Sequence, residues 1–154
     1  MRTLNIRRFK REEGATLVEF SLVAVLLVIV LLSVAEMGRM VLVYTTMANA
    51  ARAGARYAIV HGGERTGSGA DGPSGPSCGP SSCTQINTVV QNFAAAGLLN
   101  SSNVTTTVSY PDGTNTAGSR VQVTVSYTYD PLLRRYASIL NKTLGSTSEG
   151  VITF

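Results

Sequence analysis

A chain of 154 residues, 44% hydrophobic and 14% charged, has room for one membrane helix and one small domain, not for two domains. Its formal charge of +4 sits mostly in residues 1–14, where five basic and two acidic side chains give +3 and leave only +1 for everything after Gly14. That excludes an electrostatic footprint for nucleic acid, while the two cysteines suit an oxidising compartment and at most one internal disulfide.

The first 14 residues read as a basic leader without structure of its own, carrying Arg2, Arg7, Arg8, Lys10 and Arg11. From Ala15 to Ala35 the chain is apolar and about as long as the ~20 residues that span a bilayer core. Glu19 is the one charge inside that run. A charge in hydrocarbon costs roughly 2.5–3.5 kcal/mol even on lenient insertion scales, so an intramembrane acid is read as functional. A plain anchor explains the length and the basic flank but not Glu19. A secretory signal peptide is the sharper rival, because Ser33-Val34-Ala35 is a small-x-small triplet. Against it, the apolar run exceeds the usual 7–15 residues and the helical pattern continues past the supposed cut. Arg7-Arg8-Phe9 hints at twin-arginine export with poor spacing. Basic residues stay cytoplasmic, so the chain beyond the helix is expected outside the inner membrane, periplasmic or extracellular.

After Ala35 the pattern turns periodic. Met37, Met40, Val41, Tyr44, Met47, Ala48, Ala51, Ala55, Ala58 and Ile59 recur at three- and four-residue steps, one stripe of an amphipathic helix to about Val60. From Ala15 such a helix would measure ~69 Å at 1.5 Å per residue. Its stripe is expected to pack on the chain's own small domain, with packing on neighbouring subunits as the alternative. Glu36 and Arg39 stand at the three-residue pairing distance. Ala50, Gly54 and Ala58 form small-xxx-small spacing, which admits another backbone. Arg52 and Arg56 lie one turn apart, to be solvated, paired with carboxylates of the small domain, or presented to an acidic patch of a partner subunit.

The leader, the glycine, the glutamate at the fifth following position and the apolar helix together resemble the type IV pilin signature. More narrowly, Gly14-Ala15-Thr16-Leu17-Val18-Glu19-Phe20, Ala35-Glu36-Met37-Gly38-Arg39 and Asn49-Ala50-Ala51-Arg52-Ala53-Gly54-Ala55-Arg56-Tyr57-Ala58 resemble the TadE-like family of pilin-related proteins in tight-adherence (Flp) systems. That resemblance spans residues 11–60. It implies cleavage by a prepilin peptidase between Gly14 and Ala15, with Glu19, Phe20 and the released α-amino group serving assembly. The implied partners are the prepilin peptidase, other pilin and pseudopilin subunits, and the inner-membrane pilus assembly platform. Ala15 departs from the methylated phenylalanine of many type IV pilins, which puts methylation at the new terminus in doubt.

Downstream, His61-Gly62-Gly63 reads as a helix end with a left-handed glycine cap. His61 is the single histidine, so neither a histidine-clustered metal site nor a Ser-His-Asp triad has support. Residues 62–82 form a Gly/Ser/Pro-rich surface loop. Cys78 and Cys83 in and after it lack CxxC redox spacing and make a poor zinc pair; a structural disulfide closing a tight loop is the better reading. A second amphipathic helix is expected over Thr84–Ala96, stopped at Gly97. Val104, Thr106, Val108 and Tyr110, then Val121, Val123, Val125, Tyr127 and Tyr129, alternate as two strands of an antiparallel hairpin with a loop of about ten residues. Their valine and tyrosine face needs a cover, for which the long helix is the candidate. Leu132, Leu133, Tyr136, Ile139, Leu140 and Leu144 read as a third short helix ended by Gly145, and Val151–Phe154 as a final edge strand.

The fold class expected is α+β, a long N-terminal helix packed on a small antiparallel sheet in a pilin-like arrangement. The organisation expected is a leader over 1–14, a membrane helix over 15–35 continuing to about 60, a loop with the cysteine pair over 61–83, and a small periplasmic α+β domain over 84–154. No convergent catalytic set, cofactor or metal site is implied. The function expected is that of a minor pilin-like subunit; the rival is a membrane-tethered binding module with an uncleaved anchor.

Overall fold

The computed structural model describes residues 6–63, 77–78, 83–97, 99–131 and 142–153, with side chains throughout these except at 6–13 and 77–78. The protein is α+β: a long N-terminal helix that is apolar in its first half, and a small antiparallel sheet. Helix α1 runs Ile6–Val60, followed by strand β1 (Ser77–Cys78), helix α2 (Thr84–Ala96), a 3-10 turn (Ser101–Asn103), and strands β2 (Val104–Ser109), β3 (Arg120–Thr128) and β4 (Thr143–Val151). Two compact units divide the chain, residues 1–38 and residues 39–154.

In the first unit residues 6–13 of the leader belong to the helix, where the sequence reading expects no structure. Nothing in residues 6–13 forbids this: the first proline is Pro73, and an interior glycine such as Gly14 costs only about 1 kcal/mol. The apolar stretch is long enough to cross a membrane and has no buried share within the protein, which is compatible with a single-pass membrane protein.

The second unit contains a four-stranded antiparallel sheet in the order β1-β2-β3-β4, with β1 only two residues long. Strict alternation in β3 sends Val121, Val123, Val125 and Tyr127 inward and Gln122, Thr124 and Ser126 outward. Val104, Thr106 and Val108 of β2 share the inward face, in a register that pairs Val108 with Val123 and Val104 with Tyr127. The upper half of α1 covers this face through Val43, Met47, Ala50, Ala51, Ala55 and Ala58, and α2 adds Ile86, Val90 and Ala94. The cover proposed for the valine and tyrosine face is therefore the one found.

The buried stripe of α1 agrees with the one read in the sequence at Met47, Ala51, Ala55 and Ala58 and differs from it at its lower end. Met37, Val41 and Tyr44 are 71%, 63% and 54% exposed, whereas Glu36, Val43, Ala50 and Gly54 are buried. The physical reason is size: the sheet and α2 approach α1 most closely where the side chains are smallest. A Cβ placed on Gly54 would lie 2.7 Å from Val90 Cγ2 and 3.2 Å from Val123 Cγ1. Met37, Val41 and Tyr44, near the uniformly apolar half, instead face outward, and hydropathy cannot distinguish these two uses.

The helix does not end on a left-handed glycine, since Gly113 and Gly118 are the described glycines at positive φ. His61 Nδ1 meets the Tyr57 carbonyl at 2.8 Å with its ring stacked on Tyr57, and Thr153 donates its N–H to the Ile59 carbonyl at 2.9 Å. A tertiary partner satisfies an orphan carbonyl that a glycine cap would otherwise serve. The hairpin connection of residues 110–119 is bound at both ends: Asp112 accepts from the Arg120 N–H at 2.7 Å and from Arg120 Nη2 at 2.8 Å, and the Gly118 N–H donates to Ile152 at 2.8 Å.

The C-terminal region departs most from expectation. Leu144 and Gly145, read as the end of a helix, lie in β4, which pairs along its whole length with β3 from Thr143 opposite Thr128 to Val151 opposite Arg120. The rest of the expected third helix, residues 132–141, falls outside the described residues, as does most of the Gly/Ser/Pro-rich loop. Strand β4 carries Ser, Thr and Gly in place of apolar alternation, so its position comes from the β3 ladder. At Gly150 a Cβ would meet the outer atoms of the Ile59 side chain of α1, which would have to shift to admit it.

Candidate assembly site

In the first unit, Gly14, Ala15, Glu19 and Phe20 all lie exposed on α1, with Phe20 at 71%. A Cβ added to Gly14 would meet nothing within 4 Å. Packing therefore gives no reason for a glycine here, and within the helix it costs about 1 kcal/mol relative to alanine. Glu19 is followed by exposed Leu22, Val23, Leu26 and Val30 at helical steps, so one surface of the helix carries a carboxylate at its start and only hydrocarbon above. Among the described residues Glu19 forms no ion pair. Two serine hydroxyls of the apolar stretch are turned back onto the helix: Ser21 Oγ donates to the Val18 carbonyl and Ser33 Oγ to the Ile29 carbonyl, each at 2.8 Å.

The helix-packing residues of the second half divide into two groups. Ala50, Gly54 and Ala58 face inward; the alanines have no exposed surface, and Gly54 is wedged between α2 and β3. Glu36 is likewise buried, at the upper end of the first unit. Arg39 is half-buried with its guanidinium 5.3 Å above the Tyr129 ring, a cation–π contact worth about 0.5–2 kcal/mol. Arg52 and Arg56 are exposed, and among the described residues neither forms an ion pair. Arg52 Nη1 donates to Asn49 Oδ1 at 3.2 Å, a neutral partner on its own helix.

Between these arginines and α2 lies a groove of about 470 Å³, walled by Asn49, Arg52 and Arg56 on one side and Phe93 and Gly97 on the other. Phe93 is 51% exposed although Ile86, Val90 and Ala94 of the same helix are buried. A Cβ on Gly97 would collide with Thr46 of α1, so glycine lets the two helices close the end of the groove. Neither Phe93 nor Tyr129 was singled out as a site residue from sequence; both look like ordinary apolar periodicity, and only their neighbours give them another role.

Cys83 is buried and disulfide-bonded. The other cysteine of the chain, Cys78, stands in β1 opposite Val108, and its side chain lies outside the described residues. Asp112 and Arg120 form the best-defined ion pair, which holds the Asp112 carboxyl below the usual range through hydrogen bonds first from the Arg120 side chain and then from its backbone N–H. No cluster of three or more His, Cys, Asp or Glu suited to a metal occurs among the described residues.

Residues 14–56 match the family model described as TadE-like protein, the family that the N-terminal blocks resemble. The match begins at Gly14, takes in the apolar stretch and Glu36-Met37-Gly38-Arg39, and ends at Arg56. No curated protein and no solved structure matches the chain.

Proposed function

We propose, on the premise that residues 14–56 are TadE-like, that this chain is a non-enzymatic minor pilin-like subunit of a tight-adherence pilus system. A prepilin peptidase cuts it after Gly14, residues 15–35 hold it in the inner membrane with the leader cytoplasmic, and it joins other pilus components through its helix. The carrying observation is Gly14 in open space, five residues ahead of the only charge in the apolar run. A glycine that packs against nothing answers to an outside agent, and a peptidase acting at that bond is such an agent. Glu19 then gains a positive neighbour, the new α-amino group of Ala15 on the same chain or an adjacent one. An unpaired charge in a dry site is far worse than the pair, so the carboxylate favours assembly over dispersal in lipid.

N-terminal sequencing of the mature protein tests the reading. The mature chain is expected to begin at Ala15, Gly14→Leu to leave the precursor uncut, and Glu19→Gln to be cut and inserted normally but to lose co-isolation with the other pilus components. A mature terminus at Glu36 would establish a secretory signal peptide, and an uncut, fully functional Gly14→Leu chain would establish a plain tether.

A further inference from the structure

We infer that the groove between α1 and α2 receives an acidic α-helix of a different subunit, held by Arg52 and Arg56 and seated on Phe93; this deepens, and rests on, the assembly role proposed above. The face of α1 that could admit another backbone is already used inside the protein, because Ala50 and Ala58 are fully buried and Gly54 is filled by Val90 and Val123. Any helix docking on the second unit of α1 must use another side.

The arginine side is open. Two like charges one turn apart disfavour each other on a helix, and among the described residues no carboxylate relieves them. Across the groove Phe93 holds a half-exposed aromatic ring on a helix whose Ile86, Val90 and Ala94 are buried. Arginine and aromatic side chains lining one groove are the composition enriched at protein interfaces.

The occupant is argued from pitch and charge. The groove follows α1 from Thr46 to Arg56, ~15 Å of helix at 1.5 Å per residue. Its two cations repeat at the helical turn, so a helix alongside matches both with carboxylates three or four residues apart. A second copy cannot supply them: the acidic residues are Glu12, Glu13, Glu19, Glu36, Glu64, Asp71, Asp112, Asp130 and Glu149, and no two stand three or four apart. The same face of a second copy would also bring the same two arginines, and like charges across an interface are repulsive.

The test places the photocrosslinking residue p-benzoylphenylalanine at position 93 of the full chain, in cells that make the whole pilus system, and maps the adduct by mass spectrometry. One adduct is expected, to a helix of another subunit with two acids three or four residues apart. Arg52→Glu with Arg56→Glu should lower its yield about tenfold or more, the double lysine variant should keep most of it, and lysines at the partner's two acids should restore it to the double glutamate variant. Circular dichroism should show all variants folded, since both arginines are exposed. An adduct only to another copy, an adduct to a segment without the acid pair, no adduct, or a yield indifferent to charge reversal overturns the groove. The mature N-terminus, read on the same samples, tests the assembly reading separately: a cut, co-isolated chain that fails at position 93 refutes only the groove.

Discussion

Gly54 offers the sharpest check on how the second unit is built. A Cβ there would stand 2.7 Å from Val90 Cγ2 and 3.2 Å from Val123 Cγ1, against an optimal carbon–carbon separation of about 3.5–4.0 Å. The two neighbours belong to α2 and β3, and both are β-branched with stiff χ1 angles, so neither side chain can swing away cheaply. Overpacking costs about 1–3 kcal/mol, and with contacts on two elements the upper half of that range applies. Alanine recovers about 1 kcal/mol of helix propensity. Gly54→Ala should therefore cost about 1–2 kcal/mol net, lowering Tm by roughly 4–8 °C. Thermal unfolding of the detergent-solubilised protein followed by circular dichroism measures it. Gly38→Ala is the reference, because its Cβ meets nothing within 4 Å and no Tm loss is expected. Val90→Ala removes the colliding methyl, so the double variant should be more stable than the sum of the two single losses by about 1 kcal/mol or more. Strict additivity, or a Gly54→Ala protein as stable as the Gly38→Ala protein, would show that α1, α2 and β3 do not meet at this point.

Two further outcomes are expected. The Asp112 carboxyl should titrate below the usual 3.8, and Arg120→Gln should move it back only part of the way, because the backbone N–H of residue 120 still donates. A group whose folded pKa is depressed contributes stability above its unfolded value, and that contribution is lost as pH falls through the folded one; an NMR titration with an unchanged midpoint in the variant would remove the pairing. Cys78→Ser should leave one reactive thiol at Cys83 in unreduced, denatured protein and cost about 2 kcal/mol for a short closed loop, whereas two free thiols in the wild type would mean that Cys83 is not bonded to Cys78.

The sequence by itself determined the elements whose chemistry is local. An apolar run with one carboxylate, a glycine five residues before it, the helix Thr84–Ala96 and the alternating hairpin strands can all be read because periodicity and turn residues are properties of neighbouring positions. Strand β4 could not be read this way. Its Ser, Thr and Gly residues carry no apolar alternation, and it is a strand because β3 presents a ladder to it. The sequence stripe found the inner side of α1 at Met47, Ala51, Ala55 and Ala58 but not at its lower end. Met37, Val41 and Tyr44 are more apolar than Ala50 and Gly54, yet the small residues are buried, since burial on a helix goes to the face that allows closest approach. The groove beside Arg52 and Arg56 was decided in the same step: once Ala50, Gly54 and Ala58 turn inward, helical geometry leaves the arginines outside, and tertiary packing sets Phe93 across from them.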